Sequence, residues 1–141
     1  MIVAGLALAF TVGFAAGLRT FTAPAVISFW RHMPLWAGVF TAGAVLEDVL
    51  DKLPRTPSRL GPLGLILRCV SAAACAVVLV GGVAAAALGI VGALAGAYTG
   101  SGYRSIVGRA RLPDWPFALL EDAAALGLAL FTAHAARLLG G

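Results

Sequence analysis

The chain has 141 residues, of which 61% are hydrophobic and only 11% are charged, and its formal net charge is +4. Ordinary soluble domains carry roughly 25% charged residues, so this composition excludes a water-soluble globular core. A stretch of 35 residues, 69–103, contains no charged side chain. Because one membrane-spanning helix needs about 20 apolar residues, that stretch is long enough for two. We therefore predict an all-α integral membrane protein in which residues 1–141 form a single transmembrane domain.

The first predicted span covers residues 2–18. Its glycines Gly13 and Gly17 provide a small face that is suited to close helix contact. Arg19 follows this span directly. Pro24 interrupts the apolar sequence behind it, so we expect a broken or kinked helix there.

A charged segment, LEDVLDKLPRTPSR at residues 46–59, closes the second predicted span, which runs from about residue 35 to residue 50. Its acids and its lysine repeat at four-residue intervals, which indicates the last turns of a helix. Pro54 stops this helix, and a stiff turn then presents two arginines. The residues of this segment that we predict for a ligand site or ion pathway are Glu47, Asp48, Asp51, Lys52, Arg55 and Arg59. The alternative interpretation is a charged loop that only tethers two helices at a membrane surface.

Three further spans are predicted at residues 60–80, 83–100 and 115–139, which makes about five in all. The fourth span carries Gly92, Gly96 and Gly100 in a GxxxGxxxG ladder. Such a ladder is typical of a helix-packing face, either within one chain or across a dimer.

Four charged residues outside the segment 46–59 complete the predicted site: Arg19, Arg104, Glu121 and Asp122. Charged groups in a bilayer cost several kcal/mol unless they are paired or hydrated, so each needs a reason. We expect the two acids of the fifth span to meet Glu47 at one depth, close to Arg104. Arg19 is expected toward the opposite face of the membrane.

The five-span topology places the basic residues that follow the second and fourth spans on one side of the membrane. The loop and the chain end on the other side carry Arg31 and Arg137. By the positive-inside rule, the N-terminus is then cytoplasmic and the C-terminus lies outside.

Two short motifs recur along the chain. GLRT at residues 17–20 is echoed by GYRS at 102–105, and LED at 46–48 is repeated at 120–122. Spans one and two then correspond to spans four and five, with span three as a connector that inverts the second copy, as in many transporters. Arg19 precedes Glu47 by 28 residues but Arg104 precedes Glu121 by only 17, so chance similarity is the alternative.

The sequence resembles the DUF4126 group of small bacterial membrane proteins. The resemblance rests on GLRTFTAPA at residues 17–25, LEDVLDKLPRTPSR at 46–59 and LLED at 119–122. It implies the membrane class and a bacterial inner membrane, but it implies no reaction and no substrate.

The buried charges favour a small transporter or channel-like permease for an ion or small solute. We expect a homodimer, because five short helices enclose little volume and the glycine ladder offers a contact face. The alternative is a non-transporting membrane scaffold or anionic-lipid-binding protein. A lipid-modifying enzyme is less favoured, because the sequence shows no Ser/His/Asp set and no metal motif. No catalytic residue, cofactor, metal ion or nucleic-acid partner is expected.

Overall fold

The computed structural model describes residues 2–51, 61–111 and 113–140, and this part of the chain contains six α-helices and no β-strand. The helices are α1 (Ile2–Leu18), α2 (Thr22–Trp30), α3 (Pro34–Asp51), α4 (Pro62–Leu79), α5 (Gly82–Arg109) and α6 (Asp114–Gly140). The predicted all-α class is therefore confirmed for the described residues.

The helices run alternately between two ends of one bundle. At one end, which we call the terminal end, Ile2 and Leu139 line a common cleft with Val80. At the other, which we call the charged end, Arg104 near the end of α5 binds Glu121 near the start of α6. Both described chain ends therefore lie at the terminal end. This arrangement does not fit the expectation of an N-terminus and a C-terminus on opposite sides.

The central helix is α1, which contacts α2, α4, α5 and α6. Most of its residues from Leu8 to Leu18 are buried. A side chain added at Gly92 or Gly96 of α5 would overlap the backbone of α1, and one added at Gly13 or Gly17 of α1 would overlap the backbone of α5. These glycines therefore allow the two backbones to touch.

The glycine ladder is thus used within one chain. Gly92 and Gly96 face α1, and a Cβ on Gly100 would lie 3.1 Å from Glu121 of α6. Gly89, one turn earlier, also faces α4, where a Cβ would lie 2.8 Å from the carbonyl oxygen of Ala72. Because these contacts bury the ladder, it does not provide the dimer face that we expected.

The directions of α1 and α5 contradict the predicted inverted repeat. Residues later in α1 contact residues later in α5, since Gly13 meets Gly89 and Gly17 meets Ala93. The two helices are therefore parallel, whereas an inverted repeat would make them antiparallel. The physical reason is α2, which is a complete helix and adds one reversal of chain direction.

Pro24 lies in the first turn of this extra helix and does not kink a longer one. It is the third residue of α2, in a first turn whose backbone N–H groups have no partner within the helix. A proline costs little there, because the hydrogen bond it removes would not form anyway. The predicted kink is therefore a chain reversal at residues 19–21.

Small residues fill the interior, while large apolar side chains point outward. Fully buried alanines include Ala9, Ala15, Ala16, Ala23, Ala72, Ala76, Ala125 and Ala129. Exposed large residues include Val3, Phe29, Leu35, Leu63, Val83 and Leu119. This distribution is typical of helices that pack through small faces and present bulky side chains to lipid.

Three helices are long and apolar enough to cross a membrane: Pro62–Leu79, Gly82–Arg109 and Trp115–Leu139. The apolar helix α1 has only 17 residues, about 25 Å, which is slightly less than the roughly 30 Å of a hydrocarbon core. The structure therefore fits a membrane protein. The total of about five spans is not confirmed and stays a prediction.

Candidate functional site

A cluster of charged side chains joins five elements at the charged end. We call it the charged cluster, and its members are Arg19, Glu47, Asp48, Arg68, Arg104, Glu121 and Asp122. Glu121 is the eighth residue of α6, so its Cα lies about 10 Å inside the start of that helix. The cluster is therefore set within the bundle rather than at its outer edge.

The turn at residues 19–21 is the centre of this cluster. The backbone N–H of Thr20 donates to Glu47 Oε1 at 3.1 Å, and its hydroxyl donates to the same oxygen at 2.9 Å. The N–H of Phe21 donates to Glu47 Oε2 at 3.3 Å. Glu47 of α3 therefore supplies, from a different helix, the carboxylate that satisfies the free N–H groups at the start of α2.

α4 holds the same turn from another direction. The Ser71 hydroxyl donates to the carbonyl oxygen of Thr20 at 2.7 Å. Arg68 Nη2 lies 3.7 Å from Glu47 Oε1. The residue Arg68 is only 5% exposed. The positive charge of Arg68 therefore compensates for burying the Glu47 carboxylate.

Arg19 connects two acids that come from different helices. Its Nη2 lies 3.4 Å from Asp48 Oδ1 of α3, and its Nε contacts Asp122 Oδ1 of α6. The Arg19 side chain is 4% exposed, whereas those of Asp48 and Asp122 are 37% and 35% exposed. A buried guanidinium thus faces two partly exposed carboxylates.

Arg104 and Glu121 form a separate, deeper pair. Arg104 Nε donates to Glu121 Oε2 at 3.1 Å, and the Glu121 side chain is only 4% exposed. Gly100, one turn before Arg104, leaves room for this carboxylate, because a Cβ there would lie 3.1 Å from Glu121 Oε1. The last glycine of the ladder therefore serves the cluster as well as the helix crossing.

The arrangement divides the cluster into two parts. Glu47 and Glu121 are shielded and hold helix positions, so we call them, with Arg68 and Arg104, the anchor pairs. Asp48 and Asp122 on Arg19 are partly exposed, and we call them the accessible pair. Accessible carboxylates on a shared guanidinium can exchange that partner for a proton or a cation. Within residues 2–51, 61–111 and 113–140, no group of three His, Cys, Asp or Glu side chains is arranged to hold a metal ion.

The structure brings together the predicted Glu47, Asp48, Glu121 and Asp122, with Arg104 beside them. Arg19 was expected at the opposite face, and this is wrong because the chain reversal at residues 19–21 keeps it at the charged end. The predicted residues Lys52, Arg55 and Arg59 lie outside the described residues, and so does the side chain of Asp51.

Sequence reasoning missed Arg68 as a member of the site. The signal was present, because a charged residue in the apolar stretch that forms α4 carries the same cost that identified Glu121. Thr20 and Ser71 gave no such signal, because hydroxyl side chains are common in membrane helices. Comparisons of the chain with models of protein families, with curated proteins and with solved structures find no match.

Proposed function

We propose that the protein is a small membrane transporter or channel-like permease for an ion or small solute, and that the accessible pair on Arg19 lies on its pathway. One observation carries this proposal. Two partly exposed carboxylates, Asp48 and Asp122, converge from different helices on one buried guanidinium. A purely structural ion pair needs one acid for one guanidinium, not two partly exposed acids from different helices.

The anchor pairs support this proposal, because they hold the surroundings of Arg19 in place. Glu47 fastens the turn that carries Arg19, and Arg104 binds the residue next to Asp122. If a proton or a cation displaces Arg19 from one acid, the guanidinium still has the other acid as a partner. The exchange therefore leaves no bare charge in the apolar interior.

A non-transporting membrane scaffold is the second candidate. It is favoured by the role of Glu47, whose three hydrogen bonds hold the start of α2 and need no ligand to explain them. The resemblance to the DUF4126 group stays part of either proposal. So does a homodimer, which would need a face other than the glycine ladder.

The two candidates are separated by flux measurements on the purified chain in liposomes. Proton and K⁺ gradients are imposed, and their decay is followed with entrapped dyes. We expect wild-type protein to dissipate one of them and Asp48→Asn with Asp122→Asn to slow the decay at least about tenfold, which corresponds to a barrier change of about 1.4 kcal/mol. Arg109→Gln, an exposed charge of α5 outside the cluster, is the matched control and should keep full flux.

Thermal unfolding of the same variants in detergent shows whether they remain folded. Wild-type protein that moves neither ion would favour the scaffold. Full flux in a folded double variant would remove the accessible pair from the pathway.

A further inference from the structure

A second polar region lies at the terminal end, at the other end of α2 from the turn that centres the charged cluster. A cleft of about 620 Å³ is lined there by Trp30, Arg31, His32, Leu79, Ala133, Ala136 and Arg137. It lies where the ends of α2, α4 and α6 meet. The transport proposal makes no use of it.

The charge of this cleft is positive, and no acidic side chain described by the structure lies near it. The chain has six acidic residues. Glu47, Asp48 and Asp51 belong to the last turns of α3, and the other three belong to the first turns of α6, all at the charged end. Arg31 and Arg137 therefore give the terminal end a positive potential that acidic side chains do not balance, and this favours an anionic ligand.

The two arginines are held in position by backbone atoms. Arg31 Nη2 donates to the carbonyl oxygen of Val78 at 2.7 Å, and Arg137 Nη2 donates to that of Trp30 at 3.4 Å. The guanidinium carbon of Arg137 also lies 4.4 Å from the centre of the Trp30 ring. A guanidinium has five N–H donors, so one bond to a carbonyl fixes it without using its capacity to bind a phosphate oxygen.

His32 occupies a position where glycine is the usual residue. Its φ is 55°, and the N–H groups of His32 and Met33 donate to the carbonyl oxygens of Phe29 and Ser28. This is the pattern of a Schellman motif, in which the left-handed residue is most often glycine. An imidazole is thus placed at the cleft in a backbone conformation that disfavours side chains.

An apolar cleft of about 440 Å³ adjoins the positive one. Its lining includes Ile2, Leu6 and Val80, and the two clefts share Leu79 and Ala136. A molecule with a charged head and an apolar tail can therefore place its head against the arginines and its tail along α1.

We propose that these joined clefts bind an anionic amphiphile with a phosphate headgroup, such as a membrane phospholipid. The phosphate is recognised by Arg31 and Arg137, and the acyl chain occupies the apolar cleft. This site is separate from the proposed ion pathway, so either assignment can fail without the other.

The test is a binding titration of the full chain in a nonionic detergent with three probes. Dodecyl phosphate carries the head and the tail, inorganic phosphate carries the head alone, and dodecylphosphocholine carries the same tail with a zwitterionic head. We expect dodecyl phosphate to bind most tightly. We expect Arg31→Gln with Arg137→Gln to weaken it at least about tenfold, the loss of roughly one charge-assisted hydrogen bond.

Two further variants separate the head site from the tail site. Arg109→Gln removes an exposed arginine of the charged end and should leave all three affinities unchanged. Ala84→Phe adds a ring to a residue that lines the apolar cleft, and it should weaken dodecyl phosphate without affecting inorganic phosphate. Melting temperatures of all variants show whether each is folded.

Three results would overturn the proposal. Equal affinities for inorganic phosphate and dodecyl phosphate would mean an anion site without a tail site. Equal affinities for the two dodecyl compounds would mean detergent-like adsorption. Unchanged binding of dodecyl phosphate by the folded double arginine variant would remove the head site.

Discussion

Arg19 illustrates how a buried charge can be accommodated in an apolar bundle. It is 4% exposed, and its two carboxylate partners, Asp48 and Asp122, come from different helices. The backbone beside it is held by Glu47 and Ser71. A buried charge or N–H group without a partner costs free energy. Each group in this set therefore depends on the partners that the others provide. The stabilisation therefore comes from the whole set of contacts and not from any one of them.

The two acids of the LED motif in α6 should differ in their effects on stability. Glu121→Gln should lower the unfolding free energy by about 3 kcal/mol, because it leaves the charge of Arg104 poorly compensated in a buried site. Asp122→Asn should cost no more than about 1 kcal/mol, because that carboxylate is only partly buried and Arg19 keeps Asp48 as a partner. Thermal or denaturant unfolding in one detergent measures both. Equal losses would show that the cluster has no separate anchor and accessible parts.

The parallel crossing of α1 and α5 is the main feature at the scale of elements. Backbones that touch gain van der Waals contact along their whole crossing, which matters in lipid because burying apolar surface provides little drive there. The same contact makes the crossing intolerant of side chains. Glycine is needed at these positions for space and not for backbone conformation, since they lie within helices.

Two glycines of α5 provide a matched test of this crossing. A methyl group at Gly96 would meet the backbone of Phe14 and Gly17, whereas one at Gly102 has open space around it. Gly96→Ala should therefore destabilise the protein by about 1–3 kcal/mol through overpacking. Gly102→Ala should be neutral or stabilising by up to about 1 kcal/mol, since alanine is the better helix former. Melting temperatures of the two variants decide the matter, and a stable Gly96→Ala protein would argue against the close crossing.

At the scale of the whole molecule, alternate helix directions put both described chain ends at the terminal end, opposite to the charged cluster. The positive cleft and the charged cluster thus lie at opposite ends of α2, which is about 14 Å long.

This topology predicts the labelling pattern of single cysteines in a chain whose Cys69 and Cys75 are replaced by alanine. Cysteine at Ile2 or at Leu138 should react with an impermeant maleimide from one side of the membrane, and cysteine at Gly108 from the other. The cysteine-free parent is the control for background labelling. Reaction of the first two positions from opposite sides would restore a topology with an odd number of crossings.

Much of the helical organisation was predictable from the sequence, because it depends on local properties. Runs of apolar residues mark most helix boundaries within about two residues of those observed, but α5 continues to Arg109, nine residues past the predicted end of the fourth span. The acids of α3 and α6 were identifiable as site residues because charge in an apolar helix is costly whatever its partner.

The direction of each helix was decided only by the tertiary structure. The residues at 19–24 suit a kink as well as a reversal, and the reversal is held by Glu47, a side chain distant in sequence that binds the N–H groups at the start of α2. This reversal makes α1 and α5 parallel, places Arg19 at the same end as Glu47, and brings both described chain ends to the terminal end. Local patterns specify where helices form, whereas the partners of buried charges and N–H groups, which depend on distant residues, specify how the helices are arranged.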